Sequence, residues 1–147
     1  MAIQELYDLD FFEWTQRNAE LLSRRCFDSA DIPHIAEELA DMGKSDQREV
    51  LSFLTRLIMH LLKWQIQPAH RSTSRLSSIA DSRVQLKRTF EQSPSLKRLA
   101  VKSVAEIYPD ARRQASIETG IDRVTFPAEC PYSFDQIGDD DFLPGDK

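Results

Sequence analysis

Apolar positions along this chain recur at the three- and four-residue spacing of an α-helix, and the alternation of a half-buried strand is scarcely seen. Phe12, Thr15, Ala19, Leu22 and Cys26 form one stripe, widened by Phe11 and Trp14, which predicts a helix over residues 9–24. Asp8 stands where an N-cap would, and Tyr7 could staple onto Phe12. Ile32, Ile35, Ala36, Leu39 and Met42 predict a second helix over 32–42, capped by Asp31 and stopped by Gly43. A third, over 46–65, is apolar around most of its circumference through Val50, Leu51, Phe53, Leu54, Leu57, Ile58, Leu61, Leu62 and Trp64. Such a helix belongs at the centre of a bundle.

Leu76, Ile79, Leu86 and Phe90 predict a fourth helix over 74–92, and Ser93-Pro94-Ser95 breaks the pattern. The fifth, over 96–119, carries Leu96, Ala100, Val104, Ile107, Tyr108, Ala111 and Ala115, with Pro109 expected to kink or split it and Gly120 to end it. Residues 121–147 read as an extended strap, interrupted by a single helical turn that the Ser133–Gln136 capping box would start. The expected architecture is all-α: one helical-bundle domain over 1–147, with about five helices, a C-terminal strap and a short terminal turn.

Composition supports this reading. Hydrophobic residues make up 41% and charged residues 29% of the 147 positions, enough apolar surface for a core. No apolar run approaches the roughly 20 residues that cross a bilayer. Met1–Glu5 offers neither the basic nor the apolar region of a signal peptide. Two distant cysteines, Cys26 and Cys130, suit a reduced, cytoplasmic protein better than a disulfide framework. The net charge of −5 conceals segregation. Residues 1–55 hold 5 basic and 12 acidic side chains, 56–102 hold 10 and 2, and 103–147 hold 4 and 10.

Several strings occur in series: Tyr7-Asp8 with Asp10 and Trp14; Ala36-Glu37-Glu38-Leu39; Met42-Gly43-Lys44-Ser45; and His60-Leu61-Leu62-Lys63-Trp64 with Gln67-Pro68. Ser93-Pro94-Ser95-Leu96, Phe126-Pro127, Cys130-Pro131-Tyr132 and Asp141-Phe142-Leu143-Pro144 follow in order. Through these the chain, from about Tyr7 to Pro144, resembles the bacterial family known as domain of unknown function 29. It departs from that pattern at Leu76, where a tryptophan is usual, and at Pro109 after the tyrosine. The resemblance implies a compact helical bundle and supplies no substrate, cofactor or catalytic residue.

Candidate chemistry is sparse. Glu37, Glu38 and Asp41 share one side of the second expected helix, His34 precedes them by a turn, and His60 lies on the next helix. Carboxylates and histidines on neighbouring helices are how bundles hold metals, but the paired Glu-x-x-His motif of di-iron proteins and His-Glu-x-x-His are both missing. No metal ligand set is assigned and no cofactor is implied. Arg83 falls on the inward stripe of the fourth helix, where a guanidinium must reach water or pair with a carboxylate; Glu38 is the expected partner and Glu37 the alternate. Lys63, Arg71, Arg75, Lys87 and Arg88 form a candidate basic surface near Trp64. Neither a nucleophile elbow nor a phosphate loop is present, with only four glycines in the chain.

The favoured reading is a non-enzymatic protein-interaction module. A second is an enzyme or metal-binding bundle using Glu37, Glu38, His60 and Arg83, and a third is nucleic-acid binding through the basic 56–102 face. Neither a membrane partner nor a particular oligomeric state is implied.

Overall fold

The computed structural model describes residues 1–145, so the last two positions of the expected strap lie outside the described residues. Every regular element among them is helical: α1 (Ile3–Leu9), α2 (Phe11–Ser23), α3 (Ile32–Ile66), α4 (Thr73–Gln92), α5 (Pro94–Thr119) and α6 (Phe134–Gly138), with 3₁₀ turns at Pro68–His70 and Arg123–Thr125. The chain divides into two compact units, Met1–Asp46 and Gln47–Lys147.

In the first unit the expected helix over 9–24 gives way to two. Asp10 leaves helical geometry (φ −153°, ψ 85°) and its side chain accepts a hydrogen bond from the Glu13 amide at 3.1 Å, so Asp10 is the N-cap of α2 in place of Asp8. The break turns α2 relative to the expected stripe. Trp14 and Asn18 are buried, whereas Phe12 is 71% exposed. Tyr7 meets Phe11 and Trp14 edge-on. α2 ends in a Schellman motif, with Cys26 N–H donating to Leu21 O at 2.8 Å and Arg25 N–H to Leu22 O at 3.0 Å. The left-handed position of that motif is taken by Arg25, at φ 60°.

The helices expected over 32–42 and 46–65 are one helix, α3, of 35 residues. A C′ glycine stops a helix by turning left-handed, but Gly120 is the one described glycine with positive φ. Gly43 keeps helical geometry, and an interior glycine costs only about 1 kcal/mol relative to alanine, too little to end a helix alone.

The second unit has its core largely where periodicity puts it, with Leu76 of the expected α4 stripe the exception at 39% exposed. Val50, Leu54, Leu57, Ile58, Leu61 and Leu62 on α3 are fully buried, joined by Ile79 and Leu86 of α4 and by Ala100, Ile107, Tyr108, Ala111 and Ala115 of α5. α5 starts two residues early because Pro94 suits the first helical position, where its missing N–H costs nothing. Pro109 does not split the helix, which runs on to Gly120 at φ 72°. The strap is anchored by Phe126, Tyr132 and Ile137, all buried, and by a Tyr108 hydroxyl hydrogen bond to Pro127 O at 2.6 Å. Ser133 and Gln136 form the expected capping box at the start of α6.

Candidate functional site

The first unit gathers its polar and aromatic side chains around Asp31. Asp31 is 1% exposed, and its Oδ2 accepts the Trp14 indole N–H at 2.9 Å and lies 2.6 Å from His34 Nδ1. Its backbone N–H donates to Asn18 Oδ1 at 2.8 Å, and its Oδ1 is buried without a hydrogen bond. Burial pushes this carboxyl up, but hydrogen bonds from Trp14 and His34 outweigh it and hold the group below the ordinary aspartate range. The His34 ring stacks on Tyr7 with centroids 3.9 Å apart. The Tyr7 hydroxyl donates to Glu38 Oε1 at 2.5 Å, and that bond to a carboxylate raises its pKa above the usual phenol range.

Beside this network the unit leaves large apolar side chains bare. Leu9 is 69% exposed, and so in large part are Phe11, Phe12, Phe27 and Ile32. Leu39 and Met42, read from periodicity as inward, are each 63% exposed. Ile32, Ile35, Leu39 and Met42 follow helical spacing and so share one stripe of α3. Residues 1–46 carry 11 acidic and 4 basic side chains, a charge of −7.

The second unit holds a cavity of about 390 Å³ beside α4 and α6, lined chiefly by Leu54, Leu86, Phe90 and Phe134, with Arg83 in its wall. Arg83 is 3% exposed. Its Nε–H donates to Ile137 O at 2.9 Å and its Nη2–H to Gln136 O at 3.2 Å. These are carbonyls of the last turn of α6, which want donors and favour a cation. Burial disfavours the charged form of Arg83, while Asp140 and Asp139 partly offset it.

The four residues of the expected polar cluster therefore have separate fates. Glu38 is committed to Tyr7 in the first unit, and Arg83 to α6 in the second, so the expected Arg83–Glu38 ion pair gives way to carbonyl capping. Glu37 is exposed, and burial lowers the pKa of half-buried His60, with Lys63 adding to that effect. Among the described residues no three His, Cys, Asp or Glu side chains stand together as a metal site. Sequence reasoning missed the pairing of Asp31 with Trp14 and His34. Its signals were faint: an i, i+3 spacing of Asp31 and His34, and an indole N–H that needs an acceptor when buried.

Most of the basic surface is engaged within its own unit. Lys63 pairs with Glu118 at 3.0 Å, and Lys87 with Asp140 at 2.7 Å. Arg71 lies over the Trp64 ring and donates to Trp64 O, and Arg75 donates to Gln67 Oε1 at 2.7 Å. Arg88 is exposed. Among the described residues no helix is long and apolar enough to cross a membrane.

The family model of Domain of unknown function DUF29 matches residues 6–143. No curated protein and no solved structure matches the chain.

Proposed function

Because the chain belongs to the DUF29 family, a domain of unknown function, we propose a role from its own geometry: a protein-interaction module whose docking element is residues 1–46. The observation that carries this reading is the bare apolar stripe of α3. Leu39 and Met42 recur at core spacing yet stand 63% exposed. Contiguous exposed apolar surface on a folded protein marks a place where another surface sits. Covering a side chain of this size contributes about 1.5–3 kcal/mol, so two or three such residues can anchor a complex. With a charge of −7 on residues 1–46, the matching partner is a polypeptide with an apolar groove or helix face rimmed by Lys and Arg.

Nucleic acid is the weaker reading. Lys63, Arg71, Arg75 and Lys87 hold acceptors or aromatic faces of their own unit, and phosphate contacts would have to displace them.

A photo-crosslinking amino acid at Leu39, compared with one at exposed Gln85 on α4, tests the proposal in cells that make the protein. The expected result is one defined polypeptide adduct from position 39 alone. Binding of that partner in purified form should then weaken at least tenfold in L39E/M42E, with unchanged circular dichroism. No adduct beyond the Gln85 control, or a partner indifferent to L39E/M42E, overturns the reading.

A further inference from the structure

The cavity beside α4 and α6 is independent of the proposed docking stripe, and its wall contains the most deeply buried cation among the described residues. Arg83 is 3% exposed, yet among the described residues no carboxylate pairs with it. A guanidinium has five N–H donors in a planar fork. The Nε–Nη2 edge of Arg83 is occupied by the carbonyls of Ile137 and Gln136. That leaves the end-on edge, with both N–H groups of Nη1 and the second of Nη2 taking no described protein acceptor. The end-on edge is a geometry in which guanidinium binds a carboxylate through two parallel hydrogen bonds. A buried charge hydrogen-bonded only to neutral carbonyls, its burial offset only in part by Asp140 and Asp139, is incompletely compensated, and a single anion would correct it.

The remainder of the cavity defines what that anion is attached to. Leu54, Leu86, Phe90 and Phe134 provide apolar walls around a volume of about 390 Å³, within the roughly 300–1,000 Å³ of small-molecule sites. Apart from Arg83, the charges at the cavity are acidic in balance. Lys87 is already paired with Asp140 at 2.7 Å, and the lining also holds exposed Lys97 and three exposed acids, Glu91, Asp135 and Asp139. A dianion such as phosphate would meet those acids with a second, uncompensated charge. A monoanion would not.

We propose that this cavity is a binding site for a carboxylate carried on a small apolar group, with Arg83 holding the carboxylate end-on and Phe90 and Phe134 flanking the apolar part. Two sources present this chemistry: a free aliphatic or aromatic acid, and the C-terminal residue of a peptide ending in an apolar side chain.

The test is a titration of the whole chain, followed by ¹⁵N NMR, with 3-phenylpropionate and with 3-phenylpropionamide. The acid is expected to bind saturably, shifting the amides of Ile137 and Gly138 and the Arg83 Nε–H, and the amide to bind at least tenfold more weakly. A second pair, N-acetyl-Gly-Phe with a free or an amidated C-terminus, separates the sources; tighter binding of the free-terminus peptide than of 3-phenylpropionate assigns the site to peptide C-termini. R83Q should lose at least tenfold in affinity for the acid, and F90A should weaken it while leaving the preference over the amide intact. If R83Q does not fold, the acid–amide comparison and F90A decide. Absence of saturable acid binding at millimolar concentration, equal binding of the amide, or shifts confined to other residues overturns the proposal.

Discussion

Trp14 and Asp31, 17 positions apart, meet in a buried hydrogen bond: the indole N–H donates to Oδ2 at 2.9 Å, with the two residues 4% and 1% exposed. The bond ties α2 to the start of α3 within the first unit. It matters more than an average one because the other carboxylate oxygen, Oδ1, has no partner, so Oδ2 and its donors must offset the desolvation of the whole group.

Replacing Trp14 by phenylalanine keeps most of the apolar bulk and removes the donor. W14F should therefore destabilise residues 1–46 by about 1–3 kcal/mol, the cost of depriving a buried acceptor, measured by amide hydrogen exchange of α2. The pH sign follows from Asp31. Its folded pKa lies below the unfolded value of about 3.9, the Trp14 and His34 hydrogen bonds outweighing burial. The stability it adds is complete above that unfolded value and is lost as pH falls through the folded one. D31N should flatten the acid limb of the unit's exchange-derived stability below about pH 4. An acid limb identical to wild type would mean that Asp31 contributes no linkage.

Gly43 lies in the interior of α3 in helical conformation, and a Cβ placed on it meets nothing within 4 Å. G43A should stabilise the helix by about 0.5–1 kcal/mol, from lower unfolded-chain entropy at no steric cost. Urea denaturation of the two proteins, followed by helix circular dichroism, measures it. A loss of stability would show that Gly43 is needed for conformational freedom and not merely tolerated.

Arg25 presents the opposite case. It holds φ 60° at the end of α2, a conformation that costs a residue bearing a Cβ about 1–2 kcal/mol. Glycine suits that position, and R25G should raise stability by about 0.5–1 kcal/mol after glycine's own entropy is subtracted. Thermal melting of R25G beside wild type checks this, and an unchanged or lower midpoint counts against it.

The pattern of apolar positions was most informative where helices pack on one another. From Val50 onward the buried positions of α3, α4 and α5 follow the periodicity, and the Ser133–Gln136 box was legible because capping is local chemistry. It misled in the first unit for a physical reason. Periodicity shows which residues share a face but not whether anything covers that face, so Leu39 and Met42 read as core although they are 63% exposed. Gly43 misled because glycine permits a stop without enforcing one. Arg83 was rightly placed inward, yet its partners are backbone carbonyls of α6, and carbonyls leave no mark in a sequence. The cavity it lines was equally invisible, being assembled from α4, α6 and α3 residues far apart in the chain.

The strap of the second unit gives an alkaline test of its anchorage. Tyr108 is 2% exposed, and its hydroxyl donates to Pro127 O at 2.6 Å. Burial, with a smaller contribution from the Cys130 thiol, pushes its pKa up to about 12. An unfolded tyrosine ionises near about 10, so between these values the unfolded state releases a proton that the folded state retains. Stability is then complete below the unfolded value and falls as pH rises from about 10 toward the folded pKa. Y108F removes that contribution and strands the Pro127 carbonyl, costing about 1–3 kcal/mol at neutral pH if that carbonyl finds no other donor. Urea denaturation at pH 8, 10, 11 and 11.5 should show wild type clearly ahead at pH 8 and the gap closing at each alkaline step. The difference between the two curves cancels the contribution of Lys87, which also titrates above its ordinary value, and cancels that of Tyr132 except for the small part by which Tyr108 itself raises it. A gap constant across the series would mean that the Tyr108 hydroxyl reaches water and that Phe126, Tyr132 and Ile137 hold the strap without it.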